Sequence, residues 1–173
     1  MSLKVKVGDP LPSVGLRATD GYLLNLRSFV TKQPALLVFF GAPTMAAGAG
    51  RRRGIKTMDA LVAGHERLRE AGIAIAAIST DSEQQQAAFV ARHELPFLLL
   101  SDERRSAVNV LGVETVADGA NVNVARPMAL AVDVDGAIRA ILDPIDPETL
   151  VDQAMRSLSE PIPGATTGPA ASG

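Results

Sequence analysis

The 173-residue chain contains no cysteine and no tryptophan. Without cysteine it forms no disulfide, carries no thiolate nucleophile or CxxC redox pair, and offers no sulfur ligand to zinc. Aromatic residues make up 3% of the total, so stacking platforms for nucleic-acid bases are not expected. Neither sign of charge dominates. Lys and Arg number 17 against 19 Asp and Glu, a formal net charge of −2, which supplies no field for a nucleic-acid backbone. No apolar run approaches the length of a membrane span, and no apolar h-region follows Met1-Ser2-Leu3. The expected location is therefore the cytoplasm, without membrane association. What remains is a 47% hydrophobic, 21% charged composition in a length suited to one domain with a real core.

Periodicity divides that domain. Val14 to Thr19 and Tyr22 to Leu26 flank Asp20-Gly21, a turn signal for a short hairpin. Residues 35–40 and 73–78 are continuously apolar, as in strands buried on both faces. Between them Ile55, Met58, Leu61, Val62, His65 and Leu68 recur at helical steps, predicting an amphipathic helix over 55–71 ended near Gly72. A strand–helix–strand crossover implies parallel pairing. Further along come a helix over 82–93 with Asp81 as N-cap and Gln84 three residues on, a strand over 97–100 and a helix over 103–111. A hairpin then joins residues 128–132 to 137–142 through Asp133-Val134-Asp135-Gly136. A last helix over 147–158 has Pro147 in its first position. This order predicts an α/β mixed sheet with helices on both faces and an N-terminal hairpin. Residues 1–159 make the domain, and 160–173, rich in Pro, Gly, Ala and Thr, read as a flexible tail.

Five phrases in order carry a resemblance over about residues 7–158. They are Val7-Gly8-Asp9-Pro10-Leu11-Pro12, then Thr19-Asp20-Gly21 with Leu24-Asn25-Leu26, and Ala76 to Ser82. His93-Glu94-Leu95-Pro96-Phe97 with Leu100-Ser101-Asp102 is the fourth, and Ala131 to Gly136 the fifth. Together they resemble the thioredoxin-fold peroxiredoxins, the alkyl hydroperoxide reductase/thiol-specific antioxidant or redoxin family. The resemblance implies a thioredoxin-like fold, a reactive cysteine opening the helix after the first central strand, peroxide or disulfide as substrate, and a homodimer. Helix-terminal N–H groups and the positive dipole end are what would stabilise such a thiolate.

At the site the sequence departs from its relatives. The family's cysteine lies eighteen residues before the glycine that closes the helix, and counting back from Gly72 reaches Gly54. Thioredoxin-like relatives place a first CxxC cysteine three residues earlier, at Arg51. The preceding segment, GAPTMAAGAG, is longer than the family's; Pro43 and Thr44 echo its Pro…Thr pair at altered spacing. Nine residues before Gly136, where the family has an arginine and thioredoxin-like relatives a cis-proline, stands Pro127, preceded by Arg126. Pro127 is thus a candidate cis-proline.

The candidate binding set is Thr44, Arg51, Arg52, Arg53, Gly54, Arg126 and Pro127, with no catalytic residue assigned. Arg51-Arg52-Arg53 among Gly48, Gly50 and Gly54 suits a small anion or a protein partner at the 41–54 loop. The same run also suits a merely solvated basic loop. His65 and His93 read as structural residues, and two distant histidines without clustered carboxylates make no metal site, so neither metal nor cofactor is expected. Asp133 and Asp135 read as turn formers, and Ser79, Thr80 and Ser82 as capping groups. Two functions stand side by side. One is a cysteine-less scaffold retained for ligand or partner binding. The alternative is the family's antioxidant peroxidase or thiol–disulfide oxidoreductase activity by a route without cysteine. Engineered removal of cysteine would normally leave Ser or Ala and an unchanged loop, which favours natural loss.

Overall fold

The computed structural model describes residues 3–40, 49–118 and 121–159, with side chains described outside 49–53, 116–118, 121–125 and 159. The expected hairpin pairs β1 (Gly15–Ala18) with β2 (Leu23–Asn25). Asp20 Oδ1 accepts from the Tyr22 N–H in its turn. A one-turn helix, α1 (Leu26–Val30), follows without having been foreseen. It starts because the Asn25 side chain accepts from the N–H groups of Arg27 and Ser28.

β3 (Ala35–Phe39) is the first buried strand, and α2 (Ala49–Glu70) runs from its carboxyl end back along the sheet. α2 begins six residues earlier than the apolar periodicity indicated, because its first two turns carry Arg and Gly rather than core residues. At about 1.5 Å per residue it is roughly 33 Å long. Gly72, at φ +78°, closes it: the Gly72 and Ile73 N–H groups bond Arg69 O and Leu68 O. β4 (Ala74–Ser79) then pairs in parallel with β3.

α3 (Glu83–His93) opens on a capping box, but one residue later than expected: Ser82, not Asp81, is the N-cap, and its partner is Gln85. β5 (Leu98–Ser101) and the short α4 (Ser106–Leu111) follow. β6 (Thr115–Asp118) and β7 (Asn121–Ala125) form a separate two-stranded sheet that the sequence reading missed. β8 (Met128–Val132) and β9 (Ile138–Leu142) make the anticipated second hairpin. Its turn is held by Asp133 Oδ1 accepting from Val134 N–H and Asp135 Oδ1 from Ala137 N–H, with Gly136 at φ +85°. α5 (Leu150–Ser159) starts later than the Pro147 signal suggested. Asp146 is the reason: its side chain and carbonyl accept from Glu148, Thr149 and Leu150 N–H, so residues 147–149 form a turn ahead of the helix.

The main sheet has the order β2-β1-β5-β4-β3-β8-β9, mixed in direction. Alternation along its central strands sends side chains into two cores. Leu37, Phe39, Ile78 and Leu130 pack under α1 and α4, with Leu26, Val30, Val108 and Leu111. Leu36, Val38, Phe40 and Ile75 pack under α2, α3 and α5, with Met58, Leu61, Phe89 and Leu150. Each such side chain contributes about 1.5–3 kcal/mol by leaving water. The result is an α/β thioredoxin-like architecture.

α2 and α5 approach closely where Gly64 faces Val151; a Cβ on Gly64 would overlap Val151 Cγ2. Helix propensity alone would make Gly64→Ala stabilising by about 1 kcal/mol. Overpacking against a stiff β-branched side chain costs about 1–3 kcal/mol. Urea unfolding of Gly64→Ala should therefore show a net loss of up to about 2 kcal/mol, whereas Gly15→Ala, whose Cβ would sit 3.5 Å from Leu23, should unfold close to wild type.

Candidate functional site

The topology gathers the candidate residues at one end of the sheet. β3 and β4 are parallel, so both present their carboxyl ends there. β8 is antiparallel to β3 and enters at the same level, with Phe39 opposite Ile78 on one side and Met128 on the other. The start of α2 and the Arg126-Pro127 segment therefore lie above the same three strands, where crevices in open α/β sheets form.

Arg51, Arg52 and Arg53 fall within the first five positions of α2, on a helix rather than in a loop. Gly54 follows them, buried in the helix body. Thr44 lies outside the described residues. No acidic residue stands in the first turn of α2.

Arg126 is held by two carboxylates. Its Nη1 donates to Glu114 Oε1 at 2.6 Å and its Nη2 lies 2.7 Å from Asp143 Oδ1, while its backbone N–H donates to Glu114 O. The Glu114 carboxyl is held below the usual carboxylate range, first by this hydrogen bond and then by the charge of Arg126. Arg126 is raised, first by its hydrogen bond to Glu114 and then by the charge of Asp143. This clamp ties the start of β6, the entry to β8 and the loop after β9 together. Pro127 is not a cis-proline. Among the described residues the cis bond is Asp143-Pro144; the Arg126-Pro127 peptide is trans, and the chain runs on into β8.

Beside this end lies a buried polar cluster that includes Ser79, one of the three residues Ser79, Thr80 and Ser82 expected to act as capping groups. Gln86, on α3, donates through Nε2 to Ser79 Oγ at 2.7 Å and to Leu100 O at 2.6 Å. Ser79 Oγ donates to Asp81 Oδ2, and Ser101 Oγ to Asp81 O. Ser82 is the one member of that group that does cap a helix. Asp102 is 1% exposed and accepts from the Ala107 and Val108 N–H groups, fastening the start of α4. Burial pushes its carboxyl up, against the pull of those N–H groups and that of Ser106. A polar cleft of about 280 Å³ opens next to it between Arg17, Glu83, Ser101, Glu103 and Arg104. His65 is half-buried with its ring 6.3 Å from Phe97, and His93 stacks 4.3 Å from Phe89 at the end of α3, so both histidines do packing work. Among the described residues no group of three His, Asp or Glu side chains could hold a metal ion, and no helix is long and apolar enough to cross a membrane.

Comparison with known proteins decides the family. A family model described as AhpC/TSA matches residues 7–141. The chain belongs to the AhpC/TSA family. It is similar to Peroxiredoxin Bcp of Escherichia coli, 29% identical over 143 residues, which covers 80% of this chain and 86% of that one. Over 100 residues it is 33% identical to the chloroplastic Peroxiredoxin Q of Populus jackii, covering 58% of this chain and 44% of the relative. Among solved structures, Peroxidoxin BcpB of Mycobacterium tuberculosis superposes with a TM-score of 0.75 at 21% identity, covering 89% and 96% of the two chains. A PrxQ mutant of Xylella fastidiosa gives 0.74 at 13% identity; these two establish the fold alone. Set against the AhpC/TSA family, the chain keeps the scaffold and lacks any sulfhydryl. The family's usual peroxidatic thiol chemistry is therefore absent.

Asp102 offers a direct check on the polar end of this AhpC/TSA fold. Its folded-state carboxyl is raised above the unfolded value of about 3.9, so the folded chain holds a proton that the unfolded one has released within that window. Stability then falls as pH rises from about 4 through the raised value, and is flat above it. Asp102→Asn should remove this slope, while losing about 1–3 kcal/mol throughout because Ala107 N–H and Val108 N–H donate to different carboxylate oxygens, one of which becomes an NH2 donor. Denaturant unfolding of both proteins between pH 4 and 8 measures the difference.

Proposed function

We propose that this AhpC/TSA scaffold serves binding rather than redox catalysis, and that it takes a small oxyanion at the start of α2. One observation carries the reading. Arg51, Arg52 and Arg53 occupy the N-terminal turns of a 22-residue helix whose first turn has no acid. The macrodipole puts roughly half a positive charge at that end, so each cation there is disfavoured by about 0.3–1 kcal/mol. At the other end of α2, Arg67 and Arg69 stand where cations are favoured. A solvated surface has no need of three cations at the wrong pole; a bound anion removes the conflict, since the dipole and the guanidinium groups then act together.

The redox alternative has no group to carry it. Reversible reduction of peroxide needs a thiolate that can pass through a sulfenic acid, and hydroxyl side chains do not replace it. Gly54, at the counted cysteine position, has no side chain at all. Arg126, the residue nearest to the family's arginine, is occupied by Glu114 and Asp143 and serves in this reading to position the entry to β8.

Thermal unfolding of the full chain with increasing inorganic phosphate tests the proposal. Phosphate at a hundred times its dissociation constant stabilises by about 2.7 kcal/mol, a rise of roughly 5–10 °C for a chain of this size. The rise should disappear in the combined Arg51→Ala/Arg52→Ala/Arg53→Ala variant. A midpoint that ignores phosphate in the wild-type chain would leave the arginines as surface charge.

A further inference from the structure

We propose that the groove between α2 and α3 binds a small amphiphilic amine, in which one ring or a short branched chain carries an ammonium group. It is independent of the oxyanion site at the start of α2. The groove follows from the way α2 packs. Gly64 lets that helix close onto α5 beside Val151, and α2 stands off from α3. A cavity of about 210 Å³ opens between these two helices.

Its walls are mostly apolar. The buried Met58 and Phe89 line it together with the more open Val62 and Leu95. Val62 is 41% exposed although it belongs to the apolar stripe of α2, so covering it removes apolar surface from water. The His93 ring, 4.3 Å from that of Phe89, extends the aromatic surface, and a thioether such as that of Met58 suits a ring edge. An apolar cavity of about 150 Å³ admits benzene. The space here therefore takes one ring with a short arm, and it is smaller than the roughly 300–1,000 Å³ of larger ligand sites.

Charge selects the arm. Asp59 is the one carboxylate lining the groove. It sits one turn from Ile55 on one side and from Val62 and Ala63 on the other, inside the apolar stripe. It stands about three turns into α2, where the positive pole of the helix no longer acts. Further along α2 the charges are paired, Glu66 with Arg69 and Arg67 with Asp152. Among the described residues nothing pairs with the Asp59 carboxylate. An anionic ligand would be repelled there and a neutral one would leave the charge beside apolar surface. An ammonium group satisfies it, and the apolar walls strengthen the pair by keeping water back.

Amide NMR titration of the full chain with 2-phenylethylamine tests the assignment. Saturable shifts are expected, centred on residues 55–63 and 89–95. 3-Phenylpropionate, with the same ring and the opposite charge, should bind at least about five-fold more weakly. Asp59 and Ala63 are exposed, so substitutions at both should fold. Asp59→Asn should weaken the amine about five-fold, the upper end for a partly exposed ion pair, and leave the affinity for neutral 2-phenylethanol unchanged. Ala63→Leu, which fills the groove, should abolish binding of the amine and the alcohol alike. Equal affinity for the amine and 3-phenylpropionate, or an amine affinity untouched by Asp59→Asn, would overturn the choice of an amine. Absence of saturable shifts at these residues, or binding that survives Ala63→Leu, would overturn the site itself. The comparison of ligands on the wild-type chain decides even if a variant does not fold.

Discussion

The middle of the sheet is dry on both faces, and that constraint places the other elements. β3 and β8 are buried along their whole length. A strand with two apolar faces must be covered twice, so α1 and α4 close one side and α2, α3 and α5 the other. The crossover that covers a parallel pair leaves from the carboxyl end of its first strand. α2 therefore has to begin above β3, with its positive pole at the sheet's carboxyl end. That pole exists before any functional residue is chosen, because packing alone puts it there.

In a thiol peroxidase such a pole has an obvious use, stabilising a thiolate. Here the sequence offers it no negative partner. Gly54 is buried and bare, the three preceding residues are cations, and the first turn carries no carboxylate. A further arginine near the same end, Arg126, is drawn into a clamp with Glu114 and Asp143 that fastens three segments. In the proposed reading the electrostatics of an ancestral anionic side chain have been passed to a bound oxyanion.

Much of the scaffold was legible from the residues, because period and turn chemistry agreed locally. Residues 35–40 and 73–78 read as doubly buried strands, and Asp20-Gly21 and Asp135-Gly136 announced both hairpins. The errors were at places where side chains override such signals. Asn25 nucleates α1 and Ser82 outcompetes Asp81 as a cap, while Asp146 delays α5 past Pro147. The start of α2 was hidden because an Arg- and Gly-rich stretch has no apolar period to read. At the site, the missing thiol was plain in the sequence. The partners of Arg126 were not, since Glu114 lies twelve residues before it and Asp143 beyond a hairpin, and no local pattern joins them. The trans bond before Pro127 was equally invisible, as a residue count does not fix a peptide isomer.

The central claim is that the family's scaffold persists here without its redox chemistry. It is tested most directly by following hydrogen peroxide consumption by the full chain with dithiothreitol, and separately with thioredoxin and its reductase, against a heat-treated sample. The account predicts consumption indistinguishable from that control at every protein concentration. A rate that rises in proportion to the folded protein would contradict it.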